Sequence, residues 1–303
     1  MIEVKSLTKV YSKSQGPAID SVNFDVANGE IVGFVGLNGA GKTTTIRIAS
    51  GVSLPTSGTV LMDGHDIVTD KIAASNTIGW VPELPNFEPN AKAKDLLLYF
   101  AGFYGIPQEE ANKRVTELLS KLSLDRFEKK KLRTYSQGMK KRFSLAASML
   151  NDPQNYLLDE ILSGIDIEGV QFMRNLMVDL KKRNKAVLLS SHILTEIENI
   201  SDRVVFIHKG KIIKVATREE LSGISEGAGV LKLVVSNMND NALAYLKTTG
   251  DVRVEGSVIE LSNFRGDSSL VNAELVKRGV AVREFSFERS SLEEYFFKLL
   301  KDR

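Results

Sequence analysis

The sequence predicts an α/β protein with a mixed, largely parallel sheet and a helical insert, followed by a smaller α+β domain of ferredoxin-like order. Three observations lead there. Short apolar runs alternate with helical patterns through the first two thirds of the chain, as in parallel sheets covered on both faces. Between about Ala91 and Leu150 only helical spacing is found. Beyond a Ser/Gly cluster at Leu221 to Gly229 the order resets to β-α-β-β-α-β.

Ile2 to Leu7 and Ser21 to Val26 alternate like antiparallel strands. Ala27-Asn28-Gly29 turns the chain into Glu30 to Val35, EIVGFV, a short run that reads as a buried strand. Thr44 to Ser50 continues as helix. Ser57 to Gly64 reads as turn, strand, turn, and Ile78 to Val81 as a strand stopped by Pro82. In the insert, Leu96, Leu97, Phe100 and Phe103 recur at helical spacing, as do Val115, Leu118, Leu119 and Leu122. Then follow a strand at Asn155 to Leu158, a helix at Ile167 to Lys182, a strand at Ala186 to Leu189, a helix at Ile193 to Ile200 and a strand at Arg203 to His208. Lys209-Gly210-Lys211 is a hairpin turn. In the last part, strands are expected at Val230 to Val235, Val252 to Val254, Val258 to Leu261 and Ala281 to Phe287. Helices fall at Ala242 to Lys247, Ser269 to Arg278 and Ser291 to Lys301. The boundaries drawn are 1–220 for the larger domain, with its helical subdomain at about 91–150, and 221–303 for the smaller.

The chain has 303 residues, enough for two domains with a sizeable core. Its net charge of +2 supplies no electrostatic argument for nucleic acid. The basic runs Lys129 to Lys131, Lys140-Lys141-Arg142 and Lys181-Lys182-Arg183 read most simply as solvated helix ends. With no cysteine, disulfides and thiol chemistry are excluded. No apolar run approaches the roughly 20 residues of a membrane-spanning helix. The expected setting is the cytosol, or a membrane surface reached through another protein.

Gly36-Leu37-Asn38-Gly39-Ala40-Gly41-Lys42-Thr43-Thr44 fits G-x-x-x-x-G-K-[ST], the phosphate-binding P-loop, in the strand–loop–helix context that the motif requires. The larger domain is therefore expected to be a P-loop NTPase. Its glycines let backbone N–H groups curl around phosphate oxygens, helped by the helix N-terminus. Lys42 would reach the β- and γ-phosphates and the Thr43 hydroxyl would ligate Mg²⁺. Further on, Tyr156-Leu157-Leu158-Asp159-Glu160 is an apolar strand ending in two acids. Asp159 at such an end can face the P-loop and hold Mg²⁺ directly or through water. Glu160 can orient and deprotonate an attacking water.

Between these lies Tyr135-Ser136-Gln137-Gly138-Met139, opening an amphipathic run. Ser136 offers a hydroxyl, Gly138 permits close backbone approach, and a helix starting there points its positive end at an anion. A plain helix cap explains Ser136 equally well.

With these motifs in this order the chain resembles an ATP-binding subunit of an ABC transporter, over roughly Met1 to Val215. The resemblance implies ATP hydrolysis with Mg²⁺, a homodimer closing composite ATP sites, and a separate membrane permease that the chain would power from the cytoplasmic, inner face of the membrane. It casts Tyr135 to Met139 as the signature motif, Ser163-Gly164-Ile165-Asp166 as the D-loop, and His192 after Ser190-Ser191 as the switch histidine. It also casts Tyr11 as the aromatic residue that stacks on adenine and Glu83 as the Q-loop residue, a ligand of Mg²⁺ or water. Ser136 and Gly138 would meet the γ-phosphate held by the opposite subunit. The sequence departs from the family pattern at Glu83, usually Gln; at Gln137 and Met139, where Gly and Gln are usual; and at Ile161, where Pro often stands. Ser290-Ser291-Leu292-Glu293-Glu294-Tyr295-Phe296 is similar to an ending found in export-type relatives, which implies an exporter. The alternative is a soluble ABC ATPase acting as a regulatory or non-transport module.

Overall fold

The computed structural model describes residues 1–303 apart from 13, 15, 222–229, 263, 265–266, 289–291 and 302–303. The Ser/Gly boundary cluster and the Ser290-Ser291 start of the export-type ending thus lie outside the described residues. The chain divides into two compact units, Met1–Val215 and Ala216–Arg303.

The first unit is built on two sheets. An antiparallel sheet runs in the order β2 (Ile19–Val26), β1 (Ile2–Lys9), β4 (Ser57–Met62) and the two-residue β5 (His65–Asp66). The larger sheet has the order β10 (Lys211–Thr217), β9 (Arg203–His208), β3 (Ile31–Val35), β8 (Ala186–Ser191), β7 (Asn155–Asp159), β6 (Ile78–Val81). Strands β9, β3, β8, β7 and β6 pair in parallel. Strands β3, β7 and β8 are buried along their whole length. That is why their sequences read as continuous apolar runs rather than alternations.

One core joins the two sheets. Ile2, Val22 and Val60 of the antiparallel sheet pack with Phe34, Leu157 and Leu188 of the parallel one, and with Ile46 and Ile48 of α1 (Lys42–Ala49). Burying side chains of this size contributes roughly 1.5–3 kcal/mol each before the entropy of ordering them is subtracted. A short helix, α2 (Lys71–Asn76), precedes β6. Neither it nor β5 is legible in the sequence, because each is too short to show a period.

The expected helical insert is present as α3 (Ala93–Phe103), α4 (Gln108–Lys121) and α5 (Gln137–Ser148). Helix α4 buries Ala111, Val115, Leu118 and Leu119, the stripe its spacing foretells. Phe143 of α5 meets Phe87 edge-on at 4.8 Å and Tyr135 at 6.3 Å. The Tyr135 hydroxyl donates to the Phe127 carbonyl at 2.9 Å, and burial pushes its pKa to about 12. Tyr135 thus anchors the segment leading into α5. Two further helices, α6 (Ile167–Lys182) and α7 (Leu194–Ile200), follow β7 and β8.

The second unit runs β11 (Val230–Val235), α8 (Asp240–Thr249), β12 (Asp251–Glu255), β13 (Val258–Ser262), α9 (Ser268–Lys277), β14 (Val282–Glu288) and α10 (Leu292–Lys301). Its strands pair antiparallel in the order β12, β13, β11, β14. Leu231, Leu233, Leu246, Ile259, Leu261 and Leu275 form its own core, with Phe285 and Phe287 packed on it.

Candidate functional site

The phosphate loop joins β3 to α1. Two of its glycines carry backbone angles that other residues rarely adopt: Gly39 at φ +78° and Gly41, the residue before α1, at φ +112°. A side chain at Gly36 would come within 2.4 Å of the Ile207 carbonyl oxygen, so the loop fits against β9 only with glycine there. Lys42, nearly fully buried, curls back over the loop. Its Nζ donates to the Gly36 carbonyl at 2.7 Å and lies 3.4 Å from that of Leu37. The same ammonium stands 3.6 Å from Glu160 Oε1.

The acids arrive from the sheet. Strands β7 and β8 pair so that Asp159 stands opposite Ser190. Ser190 Oγ donates to Asp159 Oδ1 at 2.6 Å and accepts the Glu160 N–H at 3.0 Å. Thr43 Oγ1 lies 3.5 Å from the same Asp159 oxygen, across from α1. Burial raises the pKa of the Asp159 carboxyl above its ordinary value. The charges of Glu160 and Glu83 push the same way, against hydrogen bonds from Ser190 and Thr43. Glu160, one residue past the strand end, has φ +49°, a left-handed backbone uncommon outside glycine. That turn carries its carboxylate toward His192, whose Nδ1 is 2.7 Å from Glu160 Oε2. His192 itself is half exposed.

These groups line one cleft of about 360 Å³: Leu37, Asn38, Gly39, Ala40, Gly41, Lys42, Thr43 and Thr44, with Glu83, Glu160 and His192. Ala18 also lines it, a contribution that nothing in the sequence signals. The donors fit a divalent cation. Glu160 and Glu83 both act electrostatically on Asp159, and Thr43 adds a hydroxyl beside it. All are hard oxygen ligands. Among the described residues no three His, Cys, Asp or Glu side chains converge as a complete metal cage. Mg²⁺ suits this pattern, since it binds through one or two protein oxygens plus phosphate and water.

Ser136 and Gly138 lie elsewhere. They line a second hollow, of about 320 Å³, with Gln137, Met139, Gly164 and Asp166, and it shares no residue with the first. Ser136 caps α5, its hydroxyl accepting the Met139 N–H at 3.2 Å. A Cβ at Gly138 would meet only Ile165, at 3.6 Å, so the backbone there is open. The Gln137 side chain lies over Gly164: a Cβ built at Gly164 would stand 3.3 Å from its amide. Tyr11 is exposed and outside the lining of the cleft, with the Lys9 ammonium 5.1 Å from its ring centre.

One sequence reading is corrected. Lys141 is not a solvated helix end: it is 1% exposed. Its Nζ donates to the carbonyl oxygens of Glu160 at 2.7 Å, Ile161 at 3.3 Å and Ser163. The basic run hides it, because only the packing of α5 on the loop after β7 separates the buried Lys141 from its partly exposed neighbours Lys140 and Arg142.

The model of the ABC transporter family matches residues 19–163. Over 305 residues the chain is 33% identical to the bacitracin transport ATP-binding protein BcrA of Bacillus licheniformis, covering 99% of this chain and 97% of that one. It is 30% identical over 252 residues to the linearmycin resistance ATP-binding protein LnrL of Bacillus subtilis (strain 168), covering 83% and 80% of the two chains. Among solved structures, its fold is similar to that of the ATP-binding cassette MJ0796, seen as a dimer in a post-hydrolysis state bound to ADP and Pi. The TM-score is 0.64 at 24% identity, over 72% of this chain and 99% of that one.

Proposed function

The chain belongs to the ABC transporter family as one of its ATP-binding, ATP-hydrolysing subunits, and from that premise we propose that it powers export of a small molecule through a separate membrane permease. The observation that carries the catalytic part is Glu160 at the cleft, 2.7 Å from His192 and 3.6 Å from Lys42.

In this reading the P-loop holds the triphosphate of ATP. Lys42 exchanges the Gly36 and Leu37 carbonyls and Glu160 for phosphate oxygens. That exchange frees Glu160 to take a proton from the attacking water, while His192 fixes the carboxylate's orientation through Nδ1. Thr43 and Asp159 would hold Mg²⁺, with Glu83 beside them; the ion would neutralise phosphate charge. The ordinary Gln at position 83 would bring no charge there, so Glu83 strengthens the site's demand for a cation.

The second hollow supports a homodimer. Ser136 and Gly138 present a helix start and an open backbone, and share no lining residue with the cleft of their own chain. A second copy placed head to tail would bring them to its partner's γ-phosphate.

The permease reading draws on a groove of about 400 Å³ lined by Trp80, Phe87, Phe100, Phe103 and Tyr104, among others. Phe103 is 72% exposed, and the buried Trp80 indole N–H has no hydrogen-bond acceptor among the described residues. Aromatic, part-buried grooves of this kind suit a helix supplied by another chain. Among the described residues no helix is long and apolar enough to cross a membrane, so this reading places the chain at the inner face of the membrane only through that partner. Export, rather than import, is favoured by the Leu292-Glu293-Glu294-Tyr295-Phe296 ending and by the relative named for resistance.

The test is recovery of the tagged full-length chain from detergent-solubilised membranes. Co-purification of a protein with several apolar spans, which raises the ATPase rate and whose loss sensitises cells to a toxic compound, is expected. Recovery without any membrane partner overturns the transport reading.

A further inference from the structure

Among the described residues of the first unit Lys141 is the most completely enclosed cation, and nothing in the hydrolytic scheme uses it. It sits on α5, one turn beyond the Ser136 cap. Its three N–H donors meet three carbonyls of one short loop, those of Glu160, Ile161 and Ser163. The ammonium is therefore fully satisfied, without pairing directly to any carboxylate. Burial lowers its pKa, while Glu160, Glu83 and Asp159 oppose that shift and favour the charged form.

The loop it holds is the one with unusual backbone. Glu160 has φ +49°, and its carbonyl also accepts the Ser163 N–H at 3.1 Å. Ser190 holds the amide side of this turn at the Glu160 N–H, and Lys141 holds its carbonyl side. The same helix touches the loop again at its start, where the Gln137 side chain lies over Gly164. Helix α5 and the Glu160 to Asp166 segment are thus joined at two points, and their far edges line the hollow containing Ser136 and Gly138.

We propose that Lys141 is a positioning residue that ties the helix carrying Ser136 and Gly138 to the backbone of Glu160, so that nucleotide received at this surface from a second copy sets the carboxylate in the chain's own cleft. The inference rests on the homodimer reading. It gives each ATP a route to the opposite active site through one side chain: phosphate to α5, α5 to Lys141, Lys141 to the Glu160 carbonyl. A shift of α5 by a fraction of an ångström would be passed to the carboxylate, since Lys141 has no slack in a close-packed surrounding.

The experiment uses the purified full-length chain. Lys141→Met keeps length and removes every donor. Its kcat is expected to fall at least about 10-fold while KM for ATP stays within about 2-fold, the signature of a lost transition-state interaction. Lys141→Gln, which retains N–H donors without charge, should recover part of the rate. Sizing with ATP in a Glu160→Gln background should show a dimer with and without Lys141→Met, because the surface at Ser136 is intact. A folded Lys141→Met protein with the parent's kcat overturns the tie, as does a loss confined to KM. Should Lys141→Met fail to fold, Lys141→Leu, which also removes every donor, is read by the same criteria, and a parental rate in it overturns the tie. Failure of Glu160→Gln alone to dimerise under ATP overturns the homodimer reading itself, and the tie with it.

Discussion

Glu160 unites a left-handed backbone, a buried carboxylate and two basic neighbours, Lys42 and His192. Its Gln variant keeps size and hydrogen bonding but cannot take a proton. ATP turnover should fall about 10²–10⁴-fold with ATP affinity retained, measured as single-turnover hydrolysis beside nucleotide titration. Asp159 makes the opposite kind of prediction. Its pKa is raised by burial, so the native state holds its proton more tightly than the unfolded chain. Its stabilising effect is therefore present below the ordinary carboxylate range and lost as pH rises through the raised value. Asp159→Asn removes that loss. It should melt at a higher temperature than the parent at about pH 7.5, with a smaller gain at about pH 4, while losing Mg²⁺-dependent turnover. A melting point lowered at neutral pH would contradict the burial argument. The acids were legible in sequence because an apolar strand ending in two carboxylates has few other uses beside a P-loop. The φ of Glu160 and the burial of Lys141 were not, since both arise from a loop meeting a helix distant in sequence.

At the scale of elements, α5 is the informative one. Sequence exposes its cap, Ser136, and its open glycine, and the resemblance assigns both to the opposite subunit's nucleotide; in the structure they share no lining residue with their own chain's cleft. Gly138→Asp has room, with Ile165 its nearest contact at 3.6 Å, so the fold should tolerate it. A carboxylate there would face the partner's triphosphate and repel it. In a Glu160→Gln background the parent chain should dimerise under ATP and the Gly138→Asp chain should stay monomeric, by light scattering. The strongly periodic α6 was read to the residue, and α4 was recognised by the spacing of Val115, Leu118 and Leu119 without its start. The short α2 and β5 were not, because two to six residues cannot display a period. Tyr11, assigned only by resemblance, is exposed outside the cleft lining, with the Lys9 ammonium over its ring.

Over the whole molecule, every residue lining the cleft and the signature hollow falls within Met1–Val215. The second unit has a core of its own and no phosphate loop. A fragment ending at Leu221 should bind ATP with the affinity of the full chain, read by titration with a fluorescent analogue. A folded, monodisperse fragment without affinity would assign part of the site to the second unit. The sequence drew a boundary at 220/221 from a change of pattern and a cluster of small residues; the compact units divide between Val215 and Ala216. Phe285 and Phe287 pack against the core of the second unit.

The full burial of β3, β7 and β8 has a consequence for time rather than shape. Their amides are locked in the centre of the sheet, and solvent deuterium reaches them only when the whole unit opens. Asp159 and Ser190, at the ends of two of these strands, therefore share the lifetime of the folded unit. The glycine loop and the Glu160 turn sit just past those ends, held by side-chain hydrogen bonds from Lys42, Ser190 and Lys141 in addition to the strand ladder. In the proposed scheme two clocks would then run within one site: a slow one that holds Asp159 in register, and a faster one on which Lys42 and Glu160 change partners at each turnover.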